Sequence, residues 1–271
     1  NQLVIASLFQ ALKQDPEINE DLIRLFILNT YRMYRSKFSD KYGELIICND
    51  GGRYWRKDIY PYYKANRSKV QKKSSVDWDK VHDVMNNIYY EISEVFPYKN
   101  IRIRSVEADD IIAILCEKYH AQENIVIVSN DKDFQQLQRF PNVKQFSPIK
   151  KNFLVCEKPE NFLIDHILGG DSSDGIPNIL SDDDVFVDKE KRQKPCGKKR
   201  ISKMKEELSE WTVTDNWKRN QVLIDFQMIP QEIQDIILEE FDKEPNGQRK
   251  NILNYFIQHK LKNLIDHIEE F

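Results

Sequence analysis

The chain has 271 residues, enough for one large α/β domain with a smaller helical part, and 40% of them are hydrophobic and can fill a sizeable core. No apolar stretch is long enough to span a bilayer, and the four scattered cysteines form no CxxC pair. We therefore expect no membrane span, no disulfide framework and no zinc site, and a cytoplasmic location; a net charge of −3 argues against a uniformly basic nucleic-acid binder.

The predicted elements alternate between helices and strands in the first part of the chain. A helix at 20–39, with Asn19 as its cap, precedes an apolar strand at 44–49. Further helices are predicted at 76–96 and 107–120, and further strands at 101–104, 124–129 and 143–146. This alternation predicts an α/β fold whose parallel-type central sheet has helices on both faces. The pattern then becomes helical, so we expect an α/β domain at 1–158 and a helical region at 159–271.

Acidic residues recur where the predicted strands end and where the next helices begin. Because ligands bind beyond the carboxyl ends of parallel strands, these side chains are expected to meet at one edge of the sheet. Oxygen ligands without Cys or His select Mg²⁺ or Mn²⁺, and two such ions can activate a water and stabilise a leaving oxygen. The candidate metal ligands are Asp50, Glu107, Asp109, Asp131, Asp133, Asp171 and Asp174.

A simpler interpretation of each acidic motif is helix capping. Acids are common in first helical turns because they bind free N–H groups and complement the helix dipole. For an isolated EADD or DKD motif, capping is the better explanation. The recurrence of acids at successive strand ends is what favours a metal site. The five histidines are isolated in the sequence, and none is assigned to catalysis.

Two segments concentrate positive charge. Residues 51–75 carry eight Lys or Arg against one acid, interleaved with aromatic rings, and 188–205 carry nine against two. Cations for phosphates and rings for unpaired bases are what single-strand recognition requires. A solvated basic surface is the alternative for the first segment. For 188–203 a disordered loop and a clamp on the duplex backbone both remain open.

Several motifs together resemble the flap endonuclease, or 5′-nuclease, family, and within it the ribonuclease H branch of T-even-like bacteriophages. The resemblance covers nearly the whole chain, and the ordered set is highly specific. It rests on IICNDGG (46–52), RYWRKDIYPYYKANR (53–67), VEADD (106–110), VSNDKDF (128–134), VKQFSP (143–148) and GGDSSDGIPNI (169–179).

The resemblance implies roles for these residues. Asp50, Glu107, Asp109 and Asp131 would hold a first Mg²⁺, and Asp133, Asp171 and Asp174 a second, partly through water; Asp110 would be a cap or an outer group. The stretch 169–179 would be a helix–turn–helix element that grips duplex DNA, with Gly170 and Gly175 close to phosphate. The basic segment would form an arch over the site, where Arg56 and Lys64 contact the scissile phosphate, Tyr63 stacks on the terminal base, and Arg67 and Lys69 bind the strand.

The expected activity is a metal-dependent 5′-nuclease, acting as 5′→3′ exonuclease on RNA–DNA hybrid or duplex DNA and as flap endonuclease, which removes RNA primers during DNA replication. The partners implied by the family are branched, flapped or nicked duplex DNA and RNA–DNA hybrid, with a single-strand DNA-binding protein and a sliding clamp, for a monomeric protein in the host-cell cytoplasm.

Two departures from the family pattern leave alternatives open. Relatives carry an aspartate on a strand just before a segment like NQLVIASLF, so we expect the natural chain to continue upstream of Asn1. A glycine-rich turn followed by Lys/Thr is replaced by IPNILSDDD, so duplex contacts here can differ. A catalytically inactive branched-DNA-binding protein is therefore the main alternative, and a small-molecule phosphatase using the DxD at 131–133 is another.

Overall fold

The computed structural model describes residues 19–65 and 77–271. The predicted roles of Arg67 and Lys69, and residues 66–75 of the predicted arch, lie outside these residues. Among the described residues, no helix has the length and apolar character that crossing a membrane requires.

The first half of the structure follows the predicted alternation closely. Helix α1 begins after Asn19, whose side chain accepts a hydrogen bond from the Leu22 amide at 3.2 Å, and it continues three residues beyond the predicted end. Gly43, with φ of 77°, follows it. The elements are α1 Glu20–Tyr42, β1 Ile46–Asn49, α2 Arg56–Ile59, α3 Trp78–Val95, β2 Lys99–Arg102, α4 Ala108–Tyr119, β3 Ile125–Val128, a 3₁₀ helix Lys132–Arg139, β4 Val143–Ser147 and β5 Asn152–Leu154.

The strands pair as two ladders in the described part of the chain. β1 and β2 are parallel, with Cys48 opposite Ile101, and β3 and β4 are parallel, with Ile127 opposite Gln145. The parallel pairing was predicted. The short antiparallel strand β5, which pairs with the end of β4, was not predicted.

Helices cover both faces of the first ladder. Ile47 packs into a core cluster with α1 and α3, whereas the neighbouring Cys48 packs against a cluster that contains α4. Successive side chains of a strand point to opposite faces, so burial on both sides explains the nearly continuous apolar sequence of β1.

The second half of the chain is helical. The end of the basic run is not a disordered loop, because it folds into a helix that buries Met204; the clamp on the duplex backbone stays a prediction. The helices are α5 Pro159–Gly169, α6 Lys198–Glu206, α7 Leu208–Trp211, α8 Asp215–Ile224, α9 Gln231–Asp242, α10 Ile252–Gln258 and α11 Lys262–Ile265, with 3₁₀ turns at Phe226–Met228, Arg249–Asn251 and Ile268–Glu270.

The last helices pack into the core of the first half. Phe271 is fully buried, with its ring centroid 5.8 Å from that of Phe96 and 5.1 Å from that of Phe256. This packing crosses residues 158 and 159, where the sequence predicts a domain boundary. The boundary therefore stays a prediction, and the buried core is continuous across it.

Candidate active site

The carboxyl ends of β1 and β2 are held together by backbone hydrogen bonds between the two following loops. The Gly51 amide donates to the Val106 carbonyl at 2.9 Å, and the Trp55 amide donates to the Ser105 carbonyl at 3.0 Å. Asp50, directly after β1, accepts a hydrogen bond from the Ala108 amide at 2.9 Å. Asp50 thus lies beside the first turn of α4, as the strand-end argument predicts.

Three acids lie at the start of helix α4: Glu107 is its N-cap, and Asp109 and Asp110 stand in its first turn. Glu107 and Asp110 are both buried, and the Glu107 amide donates to the Asp110 carboxylate at 3.1 Å. Asp110 also accepts from the Trp55 indole at 3.0 Å. Asp110 therefore completes a capping box with Glu107. Its carboxylate is bound by donors of the protein, and we do not assign it as a direct metal ligand. Burial, and next the carboxylate of Asp131, raise the pKa of Asp109 well above its ordinary value.

Two buried cations neutralise this acidic turn. The Arg56 guanidinium lies 2.7 Å from Glu107 and 2.7 Å from Asp110, and its Nε donates to the Leu223 carbonyl. The Lys64 ammonium contacts Glu107 and lies 3.5 Å from Asp174. Burial alone would lower the pKa of Arg56, but Asp110 and the other neighbours raise it. Arg56, held in the core by both acids, therefore does not face a substrate phosphate in this arrangement, unlike the prediction, whereas the phosphate contact of Lys64 stays a prediction.

Tyr63 is also placed differently from the prediction. Its ring is 3% exposed, and its hydroxyl donates to Glu107 at 3.0 Å and lies 3.2 Å from Asp174. Burial, and next Glu107, raise the pKa of Tyr63 well above its ordinary value. A buried ring cannot stack on a terminal base, so in this structure Tyr63 supports the carboxylates.

A second acidic group forms where the loop after β3 meets the end of α5. The Asp131 side chain accepts from the Asp133 amide at 3.0 Å, which turns the chain into the 3₁₀ helix. Asp133 lies 3.4 Å from His166, which lies 3.3 Å from Asp171. Burial raises the pKa of Asp133 to about 7; His166 opposes this shift and Asp131 adds to it.

The Asp171 carboxylate accepts hydrogen bonds from Ser173 and forms an ion pair with Lys132. Lys132 lies 3.0 Å away, and Ser173 donates through its amide and its hydroxyl at 2.8 and 2.5 Å. Burial alone would raise the pKa of Asp171, but hydrogen bonds from His166, Ser173 and Lys132 hold it below its ordinary value.

A tight backbone turn brings Asp171 and Asp174 to the site. Asp171 and Ile176 form an isolated antiparallel bridge, and the Lys64 amide donates to the Asp174 carbonyl at 2.7 Å. At Gly170, φ is 67°, and an added Cβ would lie 2.4 Å from the Pro177 carbonyl carbon. Gly170 is thus required by this chain's own backbone, and the predicted approach of Gly170 and Gly175 to phosphate remains a prediction.

The residues fit divalent cations. One small cleft is lined by Arg56 and Tyr63 together with acids from three separate segments of the chain. Burial is the main cause of the raised pKa values of Asp109 and Asp133, and the nearby carboxylate of Asp131 adds to both; a divalent cation would stabilise the charged forms. The acids lining the cleft are Glu107, Asp109, Asp133, Asp171 and Asp174.

Sequence reasoning missed two members of this site. His166 and Lys132 both contact Asp171. The signal available for His166 was its position five residues before Asp171, at the end of an apolar helix; Lys132 stands inside the DKD motif. The sequence positions of His166 and Lys132 do not by themselves predict a contact with Asp171, because the path of the chain through the turn at Gly170 must be known first.

Comparison with known proteins assigns the class. A model described as "5'-3' exonuclease, N-terminal resolvase-like domain" matches residues 8–162, and a model described as "T4 RNase H, C terminal" matches 158–271. The chain belongs to this 5′-nuclease family. Over 285 aligned residues it is 30% identical to the ribonuclease H of Enterobacteria phage T4, covering 100% of this chain and 93% of that protein.

Other relatives match the first half. A 5′-3′ exonuclease of Buchnera aphidicola is 33% identical over 144 residues, which is 50% of this chain and 47% of that protein. The flap endonuclease Xni of Shewanella oneidensis is 30% identical over 134 residues, 46% and 48% of the two chains.

Solved structures share the fold. A T5 5′-exonuclease with bound zinc superposes with a TM-score of 0.58 at 16% identity, covering 86% of this chain and 93% of that one. A T5 flap endonuclease in a complex with DNA and metal ions gives 0.55 at 17% identity, covering 79% and 91%. At this identity the likeness shows the PIN-like 5′-nuclease fold alone.

Proposed function

We propose that this member of the 5′-nuclease family is an Mg²⁺-dependent enzyme that cleaves flapped, nicked or RNA-containing duplexes at their 5′ strand and removes RNA primers in DNA replication. The observation that carries the proposal is the meeting of Glu107, Asp109, Asp133, Asp171 and Asp174 around one cleft. Oxygen-only carboxylate ligands suit Mg²⁺, with Mn²⁺ as a substitute.

Two ions would be held by two groups of residues. Asp50, Glu107, Asp109 and Asp131 would hold the first, and Asp133, Asp171 and Asp174 the second, partly through water. When bound, such ions supply an activated water and stabilise the charge that develops on the phosphodiester. The chain's own contribution is to hold these carboxylates close together with little exposure to solvent. Arg56 and Lys64 supply buried positive charge, which lowers the energetic cost of burying the carboxylates.

Lys64 remains the side chain we propose for contact with the scissile phosphate. Its ammonium lies between Glu107 and Asp174, at the boundary of the two acidic groups. A cation that releases these carboxylates when metal ions enter would be positioned to stabilise the transition state. We propose no phosphate contact for Arg56, because both Glu107 and Asp110 hold its guanidinium in the core.

Duplex contact is proposed for the turn after α5 together with the beginning of α6. Gly197 precedes α6, and Lys198, Lys199 and Arg200 in its first turn are exposed. Exposed cations near free amides at a helix start suit phosphate oxygens and give affinity without sequence preference. Together with the stretch 169–179, to which the resemblance assigns duplex contact, this helix start would form the duplex-binding surface.

The remaining expectations are also proposals. A single-strand DNA-binding protein and a sliding clamp are the protein partners that the family implies, and a monomer in the host-cell cytoplasm is the expected state. The relatives named ribonuclease H and flap endonuclease favour both hybrid and flap substrates.

The test is cleavage of a 5′-labelled flap duplex and an RNA–DNA hybrid by the full chain. We expect cutting that requires Mg²⁺ and a fall of at least about a hundredfold in Asp131→Asn, because one ligand of a metal site is lost. Asp58→Asn, which makes the same change at an exposed acid, should cut normally. Substrate binding in Ca²⁺ should be unchanged in both variants.

Two results would count against the proposal. A protein that binds the flap but never cuts it with Mg²⁺ or Mn²⁺ would favour the inactive binding protein. Normal cutting by Asp131→Asn would show that the acidic edge is not the reaction centre.

A further inference from the structure

His166 lies between two of the carboxylates of the proposed second metal site. It stands in the last turn of α5, with 7% of its surface exposed. Its Nδ1 is 3.4 Å from Asp133 Oδ1, and its Nε2 is 3.3 Å from Asp171 Oδ2. These three residues form the one cluster in the described part of the chain whose ligand atoms all lie within 4.8 Å of one another.

Counting donors and acceptors separates the two nitrogens. A neutral imidazole has one N–H and one lone pair, and a carboxylate only accepts. The hydrogen-bonded contact is the one between Nε2 and Asp171, and in the neutral imidazole whose Nε2–H donates to Asp171 the lone pair is on Nδ1. Asp171 already accepts from Ser173 and Lys132 and is therefore fixed in place.

The other contact, between Nδ1 and Asp133, does not form a hydrogen bond. His166 Nδ1 and Asp133 Oδ1 are both buried and have no hydrogen-bond partner among the described residues. Buried polar atoms without partners are rare, and a proton or a metal ion between this nitrogen and this oxygen would satisfy both. The pair therefore has the atoms of a nitrogen-and-oxygen chelate.

We propose that His166 Nδ1 and Asp133 Oδ1 together bind the second divalent ion, and that Asp171 orients the imidazole through Nε2. The arrangement is a carboxylate–histidine–metal triad, in which the outer carboxylate fixes the tautomer and the ring direction. This inference rests on the proposed metal-dependent function and extends it, because it adds a nitrogen ligand to a site expected to contain only oxygens.

The nitrogen ligand changes the metal that the site prefers. Imidazole favours first-row transition ions such as Mn²⁺ and Co²⁺, whereas Mg²⁺ prefers oxygen ligands and retains several waters. The second site should therefore bind Mn²⁺ more tightly than Mg²⁺, and the difference should depend on His166. Asp171, proposed above among the residues that hold the second ion partly through water, would act on the ion through the imidazole.

The experiment is pulsed electron paramagnetic resonance of Mn²⁺ bound to the full chain, in which histidine alone carries ¹⁵N. We expect a directly coordinated ¹⁵N signal in the wild type that disappears in His166→Gln and persists in His82→Gln, a control at an exposed histidine. Titration should show Mn²⁺ affinity at one site falling at least about tenfold in His166→Gln, with a smaller loss for Mg²⁺.

The outcomes separate the inference from the function on which it rests. Bound Mn²⁺ without any ¹⁵N coupling in the wild type would overturn the role of His166 and leave the metal-dependent function standing. Failure of the wild type to bind Mn²⁺ would overturn both. Because the decisive spectrum is that of the wild type, a His166→Gln variant that does not fold would not weaken the test.

Discussion

At the scale of single residues, Arg56 shows how position decides what a charge does. In the sequence it stands in a basic, aromatic segment, where a phosphate contact is the natural interpretation. In the structure it is 2% exposed and bridges Glu107 and Asp110, and its Nε donates to the Leu223 carbonyl. Arg56 thus joins the acidic turn of α4 to the helical region and balances charge in the interior.

Removing that charge should be costly. We expect Arg56→Met to lower the free energy of unfolding by about 3–5 kcal/mol, because two buried carboxylates lose their counter-ion. Arg53→Met is the matched control: Arg53 is 66% exposed and pairs with the equally exposed Asp58, so its loss should change stability by less than about 1 kcal/mol. Chemical denaturation measures both, and equal effects of the two variants would contradict the buried role of Arg56.

The carboxylates themselves were largely predictable from the sequence, and their surroundings were not. Asp50 directly follows β1 and Asp131 lies three residues after β3, and the rule that ligands bind beyond the carboxyl ends of parallel strands predicts that both belong to the site. The burial of Tyr63 and Lys64 depends on packing against the turn at 171–176, which is far away in the chain. His166 was missed for the same reason.

At the scale of elements, the turn that follows α5 does most to shape the site. It ends the helix, reverses the chain through the Asp171–Ile176 bridge and directs Asp171 and Asp174 towards the cleft. Gly170 permits this because its φ is positive and the Pro177 backbone lies against it.

Gly43 and Gly170 have similar positive φ angles, so a comparison of their alanine variants distinguishes backbone strain from steric overlap. Gly43 has φ of 77° with no atom within 4 Å of an added Cβ, whereas at Gly170 the Cβ would lie 2.4 Å from the Pro177 backbone. Gly43→Ala should therefore cost about 1–3 kcal/mol of unfolding free energy, from backbone strain alone. Gly170→Ala should cost clearly more, because the turn must also move. Thermal and chemical unfolding would test this order, and a Gly170→Ala variant as stable as Gly43→Ala would refute it.

Helices and strands with strong periodicity were predicted within a few residues, as for α1 and β3. Two elements were missed because their signals are weak. β5 has three residues and is stabilised by pairing with β4, which no local pattern reveals. α6 arises from a highly charged sequence whose only fully buried side chain is Met204, so tertiary packing decides its helical state.

At the scale of the whole molecule, the cleft is assembled from distant parts of the chain that a shared interior holds in place. The turn of α4, the loop after β3 and the turn after α5 bring the acids, and Leu223 and Phe226 close the cleft from the helical region. Phe271 and Phe256 fill the core beside Phe96. Because the two halves share a buried core and both line the cleft, the geometry of the acidic residues depends on both halves.

The most direct test of this account is an anomalous difference map from crystals of the full chain soaked in Mn²⁺. We expect two peaks in the acidic cleft, one beside Asp109 and Asp131 and the other beside Asp133. Peaks confined to other parts of the surface, or none at a concentration that supports cleavage, would contradict the claim that these carboxylates form the metal centre of a 5′-nuclease.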